Sequence, residues 1–376
     1  MEELLTWIWF AECFPYGSIK PVQVLSQFPD LEEFYQNRKE WSRELSFLTS
    51  ADRKRILAYQ REEYLPLVEE CHRKKIHIVT YQEEAYPVRL KHMDDPPMVL
   101  YYCGNLDCLR KKLCISIVGT RKCSTYSQKV AMVLSRDLSL HGTVVISGCA
   151  IGIDSCAHRG ALEGNSPTVA VLGTPLDVDY PASNHGLKQK ILSQSGLLLS
   201  EYPPGTPVQK NLFPIRNRLI SGLSDGTVIV EAAEKSGSLH TANSAIEQGK
   251  ELFCVPPADL FDSRYYGVKK LIRDGATVVF SSWDIVEAFR FSPPVQEFTQ
   301  LDFNTVSIKN FTPQQPEGLT DEELQIWKSL KEQPITVTEL AQKANLPIYQ
   351  LMSSLTKLEL SGMIQKVEGN KYEIKR

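Results

Sequence analysis

The stretch from Phe213 to Asp225 reads FPIRNRLISGLSD, with Arg216 and Arg218 on either side of one asparagine and an apolar run behind them. Arg121 stands in a similar setting, directly after the apolar run CISIVG. The guanidinium fork matches the spacing of phosphate oxygens, so three such groups suggest an anion grip. The stretches that follow the apolar runs support it. GTRKCS, GCAIGIDSCAH, GTPLDVDYPASN, EYPPG leading to KNLFPIRNR, and EAAEKSGSLHTA are rich in Gly, Ser and Thr. Helix starts in such loops offer unpaired N–H groups that favour phosphate. Gly148 and Gly152 let a ligand approach the backbone. Ser236, Gly237 and Ser238 combine a helix start with two hydroxyls.

Other chemistries lack their residues. No G-x-x-x-x-G-K-[ST] is present, and no G-x-G-x-x-G follows the first α/β strand. These omissions argue against a P-loop ATPase and against dinucleotide binding. His158 and His240 fall on expected helices near the same loops, where a hydrogen-bonded histidine is the simpler reading than a base. Asp154, Asp177 and Asp179 serve better as caps or arginine partners than as a metal set. Ser147 lacks the G-x-S-x-G setting of a hydrolase nucleophile. The nine cysteines form no C-x-x-C pair, which speaks for reduced thiols in a cytoplasmic protein rather than zinc or disulfides. Neither a metal nor a cofactor is expected.

The elements that must position these residues follow from periodicity. Residues 1–75 carry apolar positions at helical spacing and read as a small helical domain. The opening MEELLTWIWFAEC lacks the basic head of a secretory signal and reads as its first helix. Residues 76–112 read as a connector packing on the core, with IHIVT suited to a strand and DDPPMVLYYCGN rich in turn signals. Residues 113–290 alternate short runs rich in Val and Ile (CISIVG, TVVISG, TVAVLG, LLLSEY, TVIVEA, ELFCVP and ATVVF) with segments of helical length. Runs apolar throughout suit strands buried on both faces, so this is expected to be a Rossmann-like, doubly wound, mostly parallel α/β sheet of about seven strands. Residues 291–318, rich in Pro and Gln, read as a linker.

Residues 319–376 read as a winged helix-turn-helix. DEELQIWKSLKE is its first helix. Thr336 and Glu339 form a capping box ahead of VTELAQKA, and Asn345 and Leu346 make a turn before Pro347 at a helix start. The next helix places Leu351, Leu355 and Leu358 on one face and stops at Gly362, before the hairpin MIQKV-EGN-KYEI. No stretch is long and apolar enough to span a membrane.

Charge limits how nucleic acid could bind. Residues 113–290 hold 17 basic and 16 acidic residues, and residues 319–376 hold eight of each. Neither is a broad basic surface, and phosphate neutralisation supplies most nonspecific affinity. Any grip on DNA is therefore local, and the tail is a protein-contact module as readily as a DNA reader.

The blocks IVGTRKCSTYS, ISGCAIGIDSCAHRGAL, VLGTPLDVDYPASN, GLLLSEYPPGTP, NLFPIRNRLISGLSDGTVIVEA and SGSLHTANSAIEQGKELFCVP occur in this order between about residues 86 and 290. Together they resemble the DprA/Smf family of DNA-processing proteins of bacterial natural transformation. The resemblance implies a non-catalytic protein that binds single-stranded DNA, forms a homodimer through its Rossmann-like domain and loads RecA recombinase. It also implies a helical, SAM/HhH-like N-terminal domain and a C-terminal winged helix. The arginine of the family's G-[ST]-R block corresponds to Arg121. To it the rim argument adds Arg216, Asn217 and Arg218, with Ser147 and Gly148 supplying backbone contact. The chain departs from the family pattern at Pro257, near Pro175, at Lys250 and at Lys269, which stands where asparagine is usual. An enzyme remains the alternative. GTVIVEAAEKSG resembles the loop of nucleotide-processing proteins that cut N-glycosidic bonds, with Glu231 as the carboxylate, although their Pro-Gly-Gly run is absent.

Overall fold

A computed structural model of the chain describes residues 1–290 apart from Lys111. Beyond them it describes Thr320, Leu324, Ile326 and residues 329–330, 335–344, 348–360, 364–367 and 371–374. It separates into two compact units, Met1–Glu297 and Phe298–Arg376.

The first unit begins with α1 (Glu2–Glu12), α2 (Lys20–Gln27), α3 (Leu31–Glu44), α4 (Ser50–Ala58) and α5 (Leu65–Arg73). Asp30 caps α3 by accepting from the Glu33 amide at 3.0 Å, and Thr49 with Asp52 forms a capping box that opens α4. α4 escapes the periodicity because SADRKRILA buries only Asp52 and Ile56. Trp7, Trp9, Phe10, Phe34 and Tyr35 form an aromatic core that continues into Val99 and Tyr101 of the sheet. The helices therefore share their interior with the α/β region.

The nine strands described in this unit make one sheet. They are β1 (His77–Thr80), β2 (Val99–Gly104), β3 (Cys114–Val118), β4 (Val144–Ser147), β5 (Thr168–Leu172), β6 (Leu197–Ser200), β7 (Gly226–Ile229), β8 (Glu251–Cys254) and β9 (Thr277–Val278). Their order is β1-β2-β6-β5-β4-β3-β7-β8-β9. Every pair from β6 to β9 is parallel, and each of the seven apolar runs supplies one of these strands. The stretch read as a connector contributes β1, the short helix α6 (Val88–Lys91) and β2, with β1 and β2 added antiparallel along the β6 edge.

Seven helices follow: α7 (Thr125–Leu140), α8 (Ile153–Ala161), α9 (His185–Ser193), α10 (Leu212–Gly222), α11 (Ser238–Glu247), α12 (Tyr266–Arg273) and α13 (Ser282–Ala288). Alternate strand residues face opposite cores, as the pleat requires. Cys114, Val118, Val144 and Ile146 pack in the core that includes Leu219 and Ile220 of α10 and Ala242 of α11. Ile115, Ile117 and Val145 pack with Leu134 of α7 and Ala157 of α8. The chain marches from β3 out to β6 and returns to place β7 on the other side of β3. The crevice beyond the carboxyl ends of β3 and β7 is thus the topological switch point, where such sheets bind ligands.

In the second unit, Thr336 accepts from the Glu339 amide while its own amide and hydroxyl donate to the Glu339 carboxylate at 3.1 and 2.8 Å. This capping box opens α14 (Val337–Ala344), and α15 (Ile348–Leu360) follows. Leu351, Leu355 and Leu358 are all buried, with Ile326, Leu330 and Leu340. The hairpin β11 (Ile364–Val367) and β12 (Lys371–Ile374) gains a third strand, β10 (Ile335–Thr336). The linker and most of DEELQIWKSLKE, together with Asn345, Leu346, Pro347, Gly362 and the EGN turn, lie outside the described residues.

Candidate nucleic-acid interface

The loops after β3, β4, β6 and β7 all emerge at the carboxyl rim, and four helices begin there. α7 is closed to an outside anion. Ser124, its N-cap, accepts from the Ser127 amide, while its own amide and hydroxyl donate to the Glu231 carboxylate at 2.9 and 2.7 Å. Tyr265 adds its hydroxyl to Ser124 at 2.9 Å. Glu231, wholly buried just beyond β7, thus sits at the α7 N-terminus where a nucleotide phosphate would be expected. By contrast, the starts of α8, α10 and α11 carry no side-chain cap.

Of the residues expected to line this rim, some face outward. Arg121 and Lys122 are exposed on the turn after β3. The Arg121 guanidinium lies 5.6 Å from the centroid of the Phe213 ring. Gly152 starts α8 at φ 88°, a conformation that suits glycine, and a Cβ there would fall 2.6 Å from the Arg121 carbonyl. Asn217, half-buried, donates to the Gly237 carbonyl at 3.3 Å and so ties α10 to the start of α11. Gly237 is exposed with open space around its Cα. Ser236 is half-buried, and its hydroxyl meets that of Ser238 at 2.9 Å.

Others turn inward, which corrects the expectation. Arg218 is only 7% exposed; its Nη2 donates to both Glu201 carboxylate oxygens at 2.6 and 2.8 Å, and its Nη1 donates to the Asp95 carbonyl at 2.8 Å. It is no phosphate clamp, because one terminal nitrogen is committed to the Glu201 carboxylate and the other to a backbone carbonyl. Arg216, 4% exposed, donates to the Gly148 carbonyl at 3.0 Å, to the Val171 carbonyl and, through Nε, to Asn217 at 3.2 Å. It pins the ends of β4 and β5 from beneath. Burial pushes the Asp154 carboxyl up, and the nearby Arg216 charge pulls it back. Gly148 is needed for that packing, since a Cβ would come within 2.7 Å of both Arg216 and Asp154. Ser147 donates to the Ile117 carbonyl at 2.7 Å inside the sheet, and Ser238 is buried.

The remaining candidates also have structural partners. His158 is fully buried with Nδ1 2.8 Å from the Thr168 hydroxyl, which itself donates to Val145. Asp177 pairs with Lys74, and Asp179 pairs with His185 and Lys188. Among the described residues no group of acidic, histidine or cysteine side chains is arranged to hold a metal. The rim also contains residues that spacing did not single out. Phe213 meets Tyr180 with ring centroids 5.3 Å apart, and Tyr180 is exposed. Lys210 and Lys235 are exposed on the same loops. An aromatic residue at a helix start is the available signal for Phe213. The side chain falls beneath Arg121 only because α10, which follows β6, brings it against Gly173 at the end of β5.

The fold and the rim define a class: a doubly wound α/β protein whose own glutamate closes one helix start at the switch point and whose other rim helix starts, free of side-chain caps, lie beside cations and aromatic rings. A family model described as DNA recombination-mediator protein A matches residues 77–290, and one for the DprA winged helix domain matches residues 312–370. The chain is 41% identical to DNA processing protein DprA of Bacillus subtilis over 224 residues, 59% of this chain and 75% of that one. It is 32% identical to Protein Smf of Escherichia coli over 335 residues, 88% of this chain and 86% of that one. The structure of DNA processing protein A from Streptococcus pneumoniae superposes with a TM-score of 0.66 at 32% identity, covering 76% of this chain and 98% of that one. For DNA processing protein A from Helicobacter pylori, described for its single-stranded DNA binding mode, the TM-score is 0.51 at 33% identity, covering 57% of this chain and 95% of that one. The chain belongs to the DprA/Smf family of DNA-processing proteins.

Proposed function

We propose that the protein binds single-stranded DNA along the carboxyl rim of its sheet, in DNA processing during natural transformation, and hands the strand to RecA. The observation that carries this reading is the exposed Arg121 over the Phe213 ring, beside the uncapped starts of α8, α10 and α11. The helix starts and Lys122, Lys210 and Lys235 meet phosphates. Phe213 and Tyr180 offer π-faces to bases that only an unpaired strand can present. Asn217, Gly152, Ser236 and Gly237 shape the edge between them. Arg216, Arg218, Ser147, Gly148 and Ser238 support it from below.

The near-neutral α/β region limits contact to a few phosphates, so binding is salt-sensitive yet tolerant of sequence. The H. pylori relative, described for its single-stranded DNA binding mode, supports the choice of ligand. The RecA hand-over and a homodimer through the α/β region rest on the family resemblance. Burial of Glu231 and its two bonds to Ser124 argue against its use as a glycosidase carboxylate.

Fluorescence anisotropy with matched single- and double-stranded oligonucleotides tests the reading. Wild type should prefer the single strand, and Arg121→Ala should lose that binding while keeping its melting temperature. Equal affinity of both proteins for the single strand would overturn it. Removing residues 319–376 should leave single-strand binding nearly unchanged.

A further inference from the structure

Beyond β7 the rim continues into the loop between β8 and α12, whose tip holds two strongly exposed large apolar side chains. Phe261 is 90% exposed and Leu260 66%. The tip is braced. Lys269 donates to the Leu260 carbonyl at 2.5 Å and lies 3.9 Å from the centroid of the Tyr266 ring. Asp259 accepts from the Phe261 amide at 2.8 Å, and Asp262 accepts from the Arg264 amide at 2.8 Å. Tyr126, in the first turn of α7, donates to the Pro256 carbonyl at 3.1 Å and joins this loop to the helix that starts just after Arg121.

Tyr126 and Tyr266 are themselves more than a third exposed. The exposed Lys122 and Lys129 flank the same helix start. Of the two carboxylates on the loop, Asp262 is paired with Arg264 at 2.6 Å, and Asp259 caps the tip. An aromatic held out in water by a set of local bonds has no folding role, and exposed apolar groups of this kind mark contact sites.

We propose that Phe261, with Tyr126, Tyr266 and Lys269, forms a second stacking station for unpaired bases, extending the nucleic-acid track from Arg121 across β7 to β8. This inference rests on the strand-binding reading above. The occupant follows from chemistry: π-faces alternating with lysines, joined through Tyr126 to the helix that starts just after Arg121, fit a single strand of nucleic acid. Lys269 positions the tip.

The test compares anisotropy of the full chain with labelled oligothymidine of about 6 and about 20 nucleotides, a short strand filling one station and a long one reaching both. Phe261→Ala should weaken binding of the long strand about tenfold and leave the short strand unchanged, and Phe261→Trp should restore it. Equal affinity of Phe261→Ala and wild type for the long strand overturns the proposal, as does an equal loss on both strands. A change of mass by light scattering in Phe261→Ala also overturns it, by placing the tip in a protein contact. Arg121→Ala serves as the reference. If it fails to weaken the short strand, the rim reading itself fails and this extension falls with it.

Discussion

Arg121 and the pair Arg216 and Arg218 are the same residue type in neighbouring loops, yet they belong to different regions of the molecule. Arg121 stands exposed on the rim, its guanidinium 5.6 Å from the centroid of the Phe213 ring. Arg216 and Arg218 lie on the floor beneath, with their donors already committed to carbonyls and to Glu201. A guanidinium grips a ligand only if its donors are vacant when the ligand arrives. The floor therefore acts by rigidity and the rim by contact, and stability and binding should respond separately to mutation.

The largest effect should come from Arg218→Ala. It leaves Glu201 buried without its partner, which costs about 3–5 kcal/mol of stability, measurable by urea unfolding. A variant that keeps full stability but loses DNA binding would break the division. Arg216→Ala should cost about 2–3 kcal/mol, since the Gly148 and Val171 carbonyls lose a charged donor. Binding should fall only with this loss of order, so that raising stability with an osmolyte restores it.

Arg121→Ala should do the opposite. Its unfolding midpoint stays at the wild-type value, while the dependence of log affinity on log salt becomes shallower by about 0.7, the share of one phosphate on a single strand. An unchanged slope would remove Arg121 from the phosphate track.

The most gradual expected effect is on pH dependence, and it belongs to the floor. Burial, with the Arg216 charge adding, pulls the His158 imidazole down to about 3. Its folded value lies below its unfolded one, so the unfolded chain takes up the proton first. Stability should drop by about 1.4 kcal/mol for each pH unit below about 6.5, towards the folded value. His158→Asn should flatten that slope in denaturant titrations between pH 7 and pH 5. The same slope in both proteins would mean that the imidazole is not the group responsible.

Much of this protein is legible from the chain alone. Seven apolar runs foretold the parallel strands, because a strand buried on both faces has no polar side to show. Thr336 and Glu339 announced their helix because a capping box is local chemistry. The strands β1 and β2 were harder to read, since pairing with β6 at the sheet edge is a long-range event. Glu231 resembled a catalytic carboxylate in the sequence. Only the fold shows that it closes the α7 N-terminus instead.

The sequence by itself determined which residue types reach the rim, because loop position follows from strand and helix periodicity. Tertiary structure alone decided which of them face a ligand. Arg216 and Arg218 lie on a helix whose buried side meets β5, Glu201 and Asp95, all distant in the chain. The direction of a side chain on that helix is set by packing partners that no local pattern names. FPIRNR therefore marked the right helix while leaving open that its phenylalanine faces the rim and its two arginines the floor.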